Sequence, residues 1–114
     1  MTSPRSYFKE NTQVLVMYDL TSFQRDLLYV ISGLDSPHGL AIKEELEDYY
    51  ITKIPHGRLY PSLDTLVEKG LVEKSEKDGR TNVYVVTRHG TREITARREW
   101  KGQYLDCAKS ATGD

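Results

Sequence analysis

Apolar residues recur at helical spacing in three consecutive segments of the chain, with polar residues between them. The first predicted helix begins just after Thr21, because Thr21 and Gln24 have the spacing of a capping box, and it ends at Gly33. The second follows a turn at residues 37–39 and carries acidic residues on its outer side. Pro55 then interrupts the pattern before a third segment begins. The pattern therefore predicts three helices in succession.

The third predicted helix stops abruptly and leads straight into a strand. Its apolar positions share one helical face: Leu59, Leu63, Leu66 and Val67. Gly70 predicts the stop, because glycine takes the left-handed conformation without steric cost. Pro61 loses little in a first turn, so we expect it to mark a helix start near Gly57 or Arg58. A helix that runs directly into a strand is how a winged helix-turn-helix presents its DNA-reading helix.

Two strand-like runs follow, over residues 71–77 and 81–87, joined by Asp78-Gly79-Arg80. Asp-Gly is a strong hairpin signal, because both residues accept a positive φ. This hairpin is the candidate wing. From Arg88 to about Lys109 the chain contains no proline, and this segment is predicted to form a long final helix.

The order of these elements predicts a fold of the α+β class, mostly α: a winged helix-turn-helix with a three-helix core, a β-hairpin wing and a C-terminal dimerisation helix. A chain of 114 residues fits one such domain. We expect an N-terminal arm over 1–20, the winged-helix DNA-binding domain over 21–87, and the dimerisation helix and tail over 88–114. Within the arm, the apolar run at residues 14–18 is too short to separate strand from helix, although its β-branched content slightly favours strand.

Charge is unevenly distributed along a chain whose net charge is only -1. Between Asp35 and Tyr50 there are one basic and five acidic residues, whereas from Arg80 to Lys101 there are six basic and two acidic ones. The small net charge argues against a protein that coats nucleic acid through bulk charge. The basic segment permits DNA binding, and both segments equally fit solvated helix faces.

Several classes of protein are not expected from this sequence. No apolar run approaches the roughly 20 residues that cross a membrane, and residues 1–6 lack the apolar region of a signal peptide. Together with the single cysteine, this favours the cytoplasm. The three histidines are widely separated, and no C-x-x-C, H-E-x-x-H or glycine-rich phosphate loop occurs. We therefore expect no enzyme activity, no metal and no cofactor.

The element order and several short motifs resemble the PadR family of transcriptional regulators. The motifs are Gly57-Arg58-Leu59-Tyr60-Pro61-Ser62-Leu63, Gly70-Leu71-Val72-Glu73, Asp78-Gly79-Arg80-Thr81-Asn82 and Val86-Thr87 followed by Gly90. The resemblance covers roughly residues 22–92, and its details are most similar to the short archaeal members of the family. It implies a homodimeric repressor that binds double-stranded DNA at an inverted-repeat operator, with the third helix in the major groove and the wing on the flanking backbone or minor groove.

On this basis eight residues are candidates for DNA contact: His56, Arg58, Tyr60, Ser62, Thr65, Lys77, Arg80 and Asn82. Arg58 can donate two hydrogen bonds to guanine, and the hydroxyls of Ser62 and Thr65 can reach base edges or phosphates. Base reading is expected from Arg58, Tyr60 and Ser62, and phosphate contact from the wing. Some of these residues have alternatives: Tyr60 packs under the helix, Arg58 forms an ion pair, His56 caps the helix or is solvent-exposed, and the wing charges serve solubility.

A stripe on the final helix is the candidate dimer interface: Ala96, Trp100, Tyr104, Cys107 and Ala108. The alternative is that Trp100 and Tyr104 pack against the chain's own first helix. Cys107 is most simply a small apolar residue of this stripe, although an exposed thiol could also act as a redox switch. The family resemblance implies a small aromatic effector, which nothing in the sequence supports. The competing function is a winged-helix protein-interaction module without specific DNA binding.

Overall fold

The computed structural model describes the backbone of residues 16–112 and the side chains of residues 17–106. The elements in chain order are α1 (Val16–Asp19), α2 (Ser22–Gly33), α3 (Gly39–Tyr50), α4 (His56–Glu68), β1 (Val72–Lys77), β2 (Thr81–Val86) and α5 (Arg88–Thr112). This is the predicted winged helix: three core helices, an antiparallel hairpin and a C-terminal helix. Among the described helices, none combines the length and the apolar character that a bilayer crossing needs.

The ends of the first two core helices follow from local hydrogen bonds. At α2 the capping box is complete, since Thr21 Oγ1 accepts from the Gln24 amide and the Gln24 side chain accepts from the Thr21 amide. At α3 the Nδ1 atom of His38 accepts from the Ala41 amide at 3.1 Å. Helix α3 ends at Ile51, which adopts the left-handed conformation with a φ of 57°. These bonds confirm the predicted starts of both helices.

Helix α4 begins earlier than its proline suggested. The carbonyl of Pro55 accepts hydrogen bonds from the amides of Arg58 and Leu59, so the first turn already closes on that residue. Pro61 is therefore the sixth residue of the helix, one or two residues further in than a start at Gly57 or Arg58 implies, and it lies inside the helix beyond the first turn. With no amide hydrogen, Pro61 cannot bond to the carbonyl of Gly57 four residues earlier.

The hydrophobic core lies between the three helices and the hairpin. The predicted core face of α4 is confirmed, since Leu59, Leu63 and Leu66 are fully buried and Val67 is half-buried. The other large core residues come from every neighbouring element: Phe23, Leu27, Leu28, Ile31, Ile42, Leu46, Leu71 and Tyr84. Gly70, with a φ of 76°, turns the chain from α4 into the hairpin.

The hairpin has the predicted turn. Asp78 and Gly79 both take a positive φ, of 62° and 73°, and Lys77 pairs with Thr81 beside them. A second connection holds the other side of the hairpin, because the Tyr84 amide donates to the carbonyl of Pro37 and Val83 forms a bridge with His38. Strand β2 of the wing is therefore bonded both to β1 and to the residues just before α3.

Helix α5 is anchored where it leaves the hairpin. The hydroxyl of Thr87 donates to the carbonyl of Gly70 at 2.6 Å and accepts from the Gly90 amide at 3.0 Å. The apolar run before α2, for which both alternatives were open, forms the helix α1 where it is described, and its Met17 and the adjacent Leu20 are buried in the core. Part of the expected N-terminal arm thus packs with the domain.

Candidate nucleic-acid interface

Helix α4 carries its predicted contact residues on two opposite flanks, because successive residues of a helix are about 100° apart. With Leu59, Leu63 and Leu66 buried, Arg58 lies on the flank towards α2, and Tyr60 lies on the flank towards the wing. The candidate site therefore has two separate parts.

On the first flank, the guanidinium of Arg58 lies 4.1 Å from the centre of the buried Phe23 ring, in a cation–π contact. Nearby, the Tyr50 hydroxyl donates to Asp26 at 2.5 Å. Burial and that bond raise the pKa of Tyr50 to about 12, and the Arg58 charge acts in the opposite direction. The side chain of Arg58 is exposed, and one face of its guanidinium rests against the Phe23 ring.

On the second flank, Tyr60 lies over the start of α3. A Cβ atom added to Gly39 would stand 2.7 Å from the Tyr60 hydroxyl, so only glycine permits this close approach. The ring of His56 meets Tyr60 edge-on, with 5.7 Å between the ring centres. Tyr60 keeps 37% of its surface exposed, so it is neither buried under the helix nor free of contacts.

Tyr60 forms one wall of a cleft of about 390 Å³ between α4, the wing and the start of α3. The lining residues are His38, Gly39, Leu40, Tyr60, Arg80, Thr81, Asn82 and Tyr84. Three of the predicted contact residues thus meet in one place: Tyr60 from α4, and Arg80 and Asn82 from the wing. Tyr84 at the cleft is almost fully buried, and burial, followed by the nearby Tyr60 and Asp64, raises its pKa.

The chemistry of this cleft suits an anionic ligand with several oxygens. A guanidinium, an amide and a phenol converge there, and all three can donate hydrogen bonds. The N-terminus of α3 adds the positive end of a helix dipole. A nucleic-acid phosphate carries the charge and the acceptors that this group of donors requires.

The remaining predicted contacts lie outside the cleft. Ser62 and Thr65 are half-buried, and the Thr65 hydroxyl donates to the Pro61 carbonyl at 3.1 Å, so it has only acceptor capacity left for DNA. Lys77 is exposed where the hairpin turns. The weaker candidate Lys74 lies 3.7 Å from Asp64 of α4, in an ion pair that joins the wing to the helix.

Sequence reasoning did not identify His38, Gly39 and Tyr84 as part of the site. His38 and Gly39 were assigned only to a turn, and Tyr84 only to a strand. The first two stand at the start of α3, where His38 Nδ1 caps the helix. Their proximity to α4 and the wing depends on the bridge between His38 and Val83, and no local pattern encodes that bridge.

The predicted dimer stripe is exposed on the far half of α5. Trp100 and Tyr104 expose 51% and 59% of their surfaces and stack edge-on, with ring centres 5.4 Å apart. The guanidinium of Arg97 lies 5.3 Å from the Trp100 ring centre, and Ala96 is also exposed. The side chains of Cys107 and Ala108 lie outside the described residues. Neither aromatic ring belongs to the hydrophobic core of the domain.

Several solved structures are similar to this chain, and they include RosR and a PadR family transcriptional regulator. RosR of H. salinarum is 53% identical, with 75% of this chain and 76% of that chain covered and a TM-score of 0.70. The complex structure of hsRosR-S1 is 52% identical, with the same coverage and a TM-score of 0.72. A PadR family regulator from Eggerthella lenta is 20% identical over 95% of this chain and 98% of its own, with a TM-score of 0.52, and shares the fold.

No curated protein sequence matches the chain significantly. The family model described as the transcriptional regulator PadR-like family matches residues 27–96, from the middle of α2 into α5. This range covers more than half of the chain and includes the whole of α4 and the wing. The chain therefore belongs to the PadR-like family of transcriptional regulators.

Proposed function

We propose that this protein is a repressor that binds double-stranded DNA sequence-specifically, as a homodimer, at an inverted-repeat operator. The observation that carries the proposal is the cleft that joins Tyr60 of α4 to Arg80 and Asn82 of the wing. A regulator of this kind acts where the chromosome lies, so we place its action in the cytoplasm. Repression then follows from occupation of promoter DNA.

In this proposal α4 enters the major groove while the cleft holds the flanking phosphate backbone. Tyr60, Arg80 and Asn82 fix the register of the protein on the duplex, and Lys77 adds a phosphate contact from the wing tip. Arg58 and Ser62 read bases. Thr65 accepts from a base edge, and His56 supports Tyr60 through its ring contact.

The proposed dimer forms through the exposed stripe of α5, which includes Trp100 and Tyr104. Aromatic residues are enriched at the centre of protein interfaces. Twofold symmetry then places the two α4 helices about one turn of DNA apart, roughly 34–36 Å. We predict that Cys107 and Ala108 belong to the same stripe. A small aromatic effector that binds at this interface is also only a prediction.

The proposal is tested by measuring the affinity of the purified protein for the DNA upstream of its own gene at increasing salt concentrations. Affinity should fall steeply as salt rises, because each phosphate contact releases counterions. Arg80→Ala should weaken binding to all fragments and lower the log–log salt slope by about one. Lys77→Ala should behave in the same way. The control Lys43→Ala removes the same charge from α3 outside the cleft and should leave the slope unchanged.

Base reading needs a separate comparison. Arg58→Ala should reduce the preference for a specific fragment over random DNA, at a cost of about 1–3 kcal/mol at the contacted base pair. Equal losses on specific and random DNA would exclude Arg58 from base reading. If the wild-type protein prefers no fragment at low salt, the regulator proposal is abandoned in favour of a protein-interaction module, whose apolar contacts resist salt.

A further inference from the structure

The first turn of α4 places the charged group of Arg58 against a buried aromatic ring of α2. The Cζ atom of the guanidinium lies 4.1 Å from the centre of the Phe23 ring, which is close to van der Waals contact. Phe23 is only 5% exposed, so the core fixes its ring, whereas the Arg58 side chain is exposed. The contact therefore joins an exposed charged group to a rigid part of the domain.

The guanidinium of Arg58 keeps its hydrogen-bonding capacity in this position. Within residues 17–106 it forms no ion pair and donates no hydrogen bond, so the ion pair that was the alternative for Arg58 is not formed there. A guanidinium carries its N–H donors in one plane, at its edge, and contact with an aromatic ring occupies only a face of that plane. The donors of Arg58 are therefore left for a ligand.

Two neighbours hold this arrangement in place. The Tyr50 ring lies against the Phe23 ring, with 6.3 Å between the centres and a tilt of 44°. The Tyr50 hydroxyl donates to Asp26, which stands one turn after Phe23 on the same face of α2. Burial, followed by this bond, raises the pKa of Tyr50 to about 12, so the hydroxyl stays protonated near neutral pH and remains a donor. The carboxylate of Asp26 therefore bonds to Tyr50, and Arg58 lies on the ring.

We propose that Phe23 is a specificity-determining residue, which holds the Arg58 guanidinium in the position from which that group reads guanine. This inference rests on the proposed function. The N-terminal residues of a recognition helix contact base edges, and Arg58 is the third residue of α4. Guanine presents its O6 and N7 acceptors side by side in the major groove, where two N–H groups of one guanidinium match them. Arg58 thus binds the base with its edge while Phe23 contacts its face.

The ring acts by preorganisation. A flexible arginine loses rotamer freedom when it binds, and a side chain that is already held loses less. Phe23 does not alter the charge of Arg58, and phosphate contacts carry no sequence information. Loss of the ring should therefore lower the preference for guanine and leave the affinity for random DNA nearly the same.

NMR of the full-length protein tests the contact directly. Nuclear Overhauser effects between the Arg58 side chain and the Phe23 ring protons are measured in the free protein, and again in complex with a fragment selected from random DNA. We expect them in both states, because Arg58 reads the base without leaving the ring. Their loss in the complex means that Arg58 leaves the ring to bind, which overturns the inference and leaves the proposed function standing.

A set of variants tests the effect on specificity. The readout is the affinity for the selected fragment divided by the affinity for the same fragment with one base pair replaced, at the position where Arg58→Ala loses its preference. Phe23→Leu removes the ring but keeps an apolar side chain, and it should lower this ratio roughly three- to fivefold, the scale of an exposed cation–π contact. Ile31→Val removes apolar volume from the same helix, about two turns beyond Phe23, and should keep the wild-type ratio.

A double variant separates positioning from a merely structural role. In an Arg58→Ala background, Phe23→Leu should lower the ratio no further, because the side chain that the ring positions is gone. A Phe23→Leu protein that keeps the full ratio, or that lowers it equally in both backgrounds, overturns the inference alone. If Phe23→Leu does not fold, the Overhauser effects in the wild-type complex decide. A wild-type protein that prefers no fragment overturns the proposed function, and this inference with it.

Discussion

Arg58 and Tyr60 stand two residues apart on one helix, and their polar groups lie on opposite sides of it. The apolar spacing of α4 was enough to predict which face is buried, because burial follows helical periodicity. It could not predict that Arg58 rests on Phe23 or that Tyr60 rests on Gly39, since both contacts join residues far apart in the sequence. Side-chain partners across elements are therefore the part of the candidate site that required the structure.

Ile51 carries a backbone conformation that its side chain disfavours. It ends α3 with a φ of 57°, and its side chain is 89% exposed, so burial gains nothing in return. Ile51→Gly should raise the free energy of unfolding by about 1 kcal/mol, because glycine adopts this conformation without a Cβ clash. Ile51→Ala keeps the Cβ atom and should gain less. Urea unfolding measures both, and an Ala variant as stable as the Gly variant would contradict the account.

Pro61 is a second residue at which local strain can be measured. Inside α4 it leaves the Gly57 carbonyl without its helical bond and crowds that carbonyl with its ring. Pro61→Ala should therefore stabilise the protein by about 1 kcal/mol or more, even though alanine gives the unfolded chain more freedom. Thermal and urea unfolding should agree on the sign. If Pro61→Ala is less stable than the wild type, the proline is not strained in α4 and this prediction is wrong.

At the scale of elements, the sequence predicted what depends on local chemistry. The capping box, Gly70 and the Asp-Gly turn each fix backbone conformation within a few residues, and all three are confirmed. For the run that forms α1, helix and strand both stayed open because the run is too short to show a period, and its Met17 amide bonds to Glu93, 76 residues away. The predicted start of α4 near Gly57 or Arg58 lies within one or two residues of the observed start at His56, although the first turn closes on Pro55 and Pro61 lies beyond it.

The junction between the wing and α5 offers a test at this scale. A Cβ atom at Gly90 would overlap the carbonyl oxygen of Leu71 and lie 2.8 Å from Val86 Cγ1. Because the first of these is backbone, Gly90→Ala should destabilise the domain by about 1–3 kcal/mol. The matched control is Gly102→Ala on the same helix, where the nearest atom is a flexible Asp106 oxygen at 3.6 Å. That variant should be neutral or slightly more stable, and equal effects of the two would contradict the proposed close packing.

At the scale of the whole molecule, the exposed stripe on α5 predicts self-association. Replacing both Trp100 and Tyr104 by serine should shift the protein from dimer to monomer, because these rings supply the largest exposed apolar area of the stripe. Sedimentation equilibrium across a range of concentrations measures the change. Arg88→Ala, at the exposed start of the same helix, serves as the control and should remain dimeric. A double variant that is still a dimer would place the interface elsewhere.

The central claim is that this PadR-like regulator reads DNA as a symmetric dimer, with α4 in the groove and the wing on the backbone. Selection of bound fragments from random DNA with the purified protein tests this most directly. The account predicts enrichment of an inverted repeat whose half-sites are centred about one helical turn apart, roughly 34–36 Å. Fragments without a common sequence, or with single half-sites and no symmetry, would contradict it.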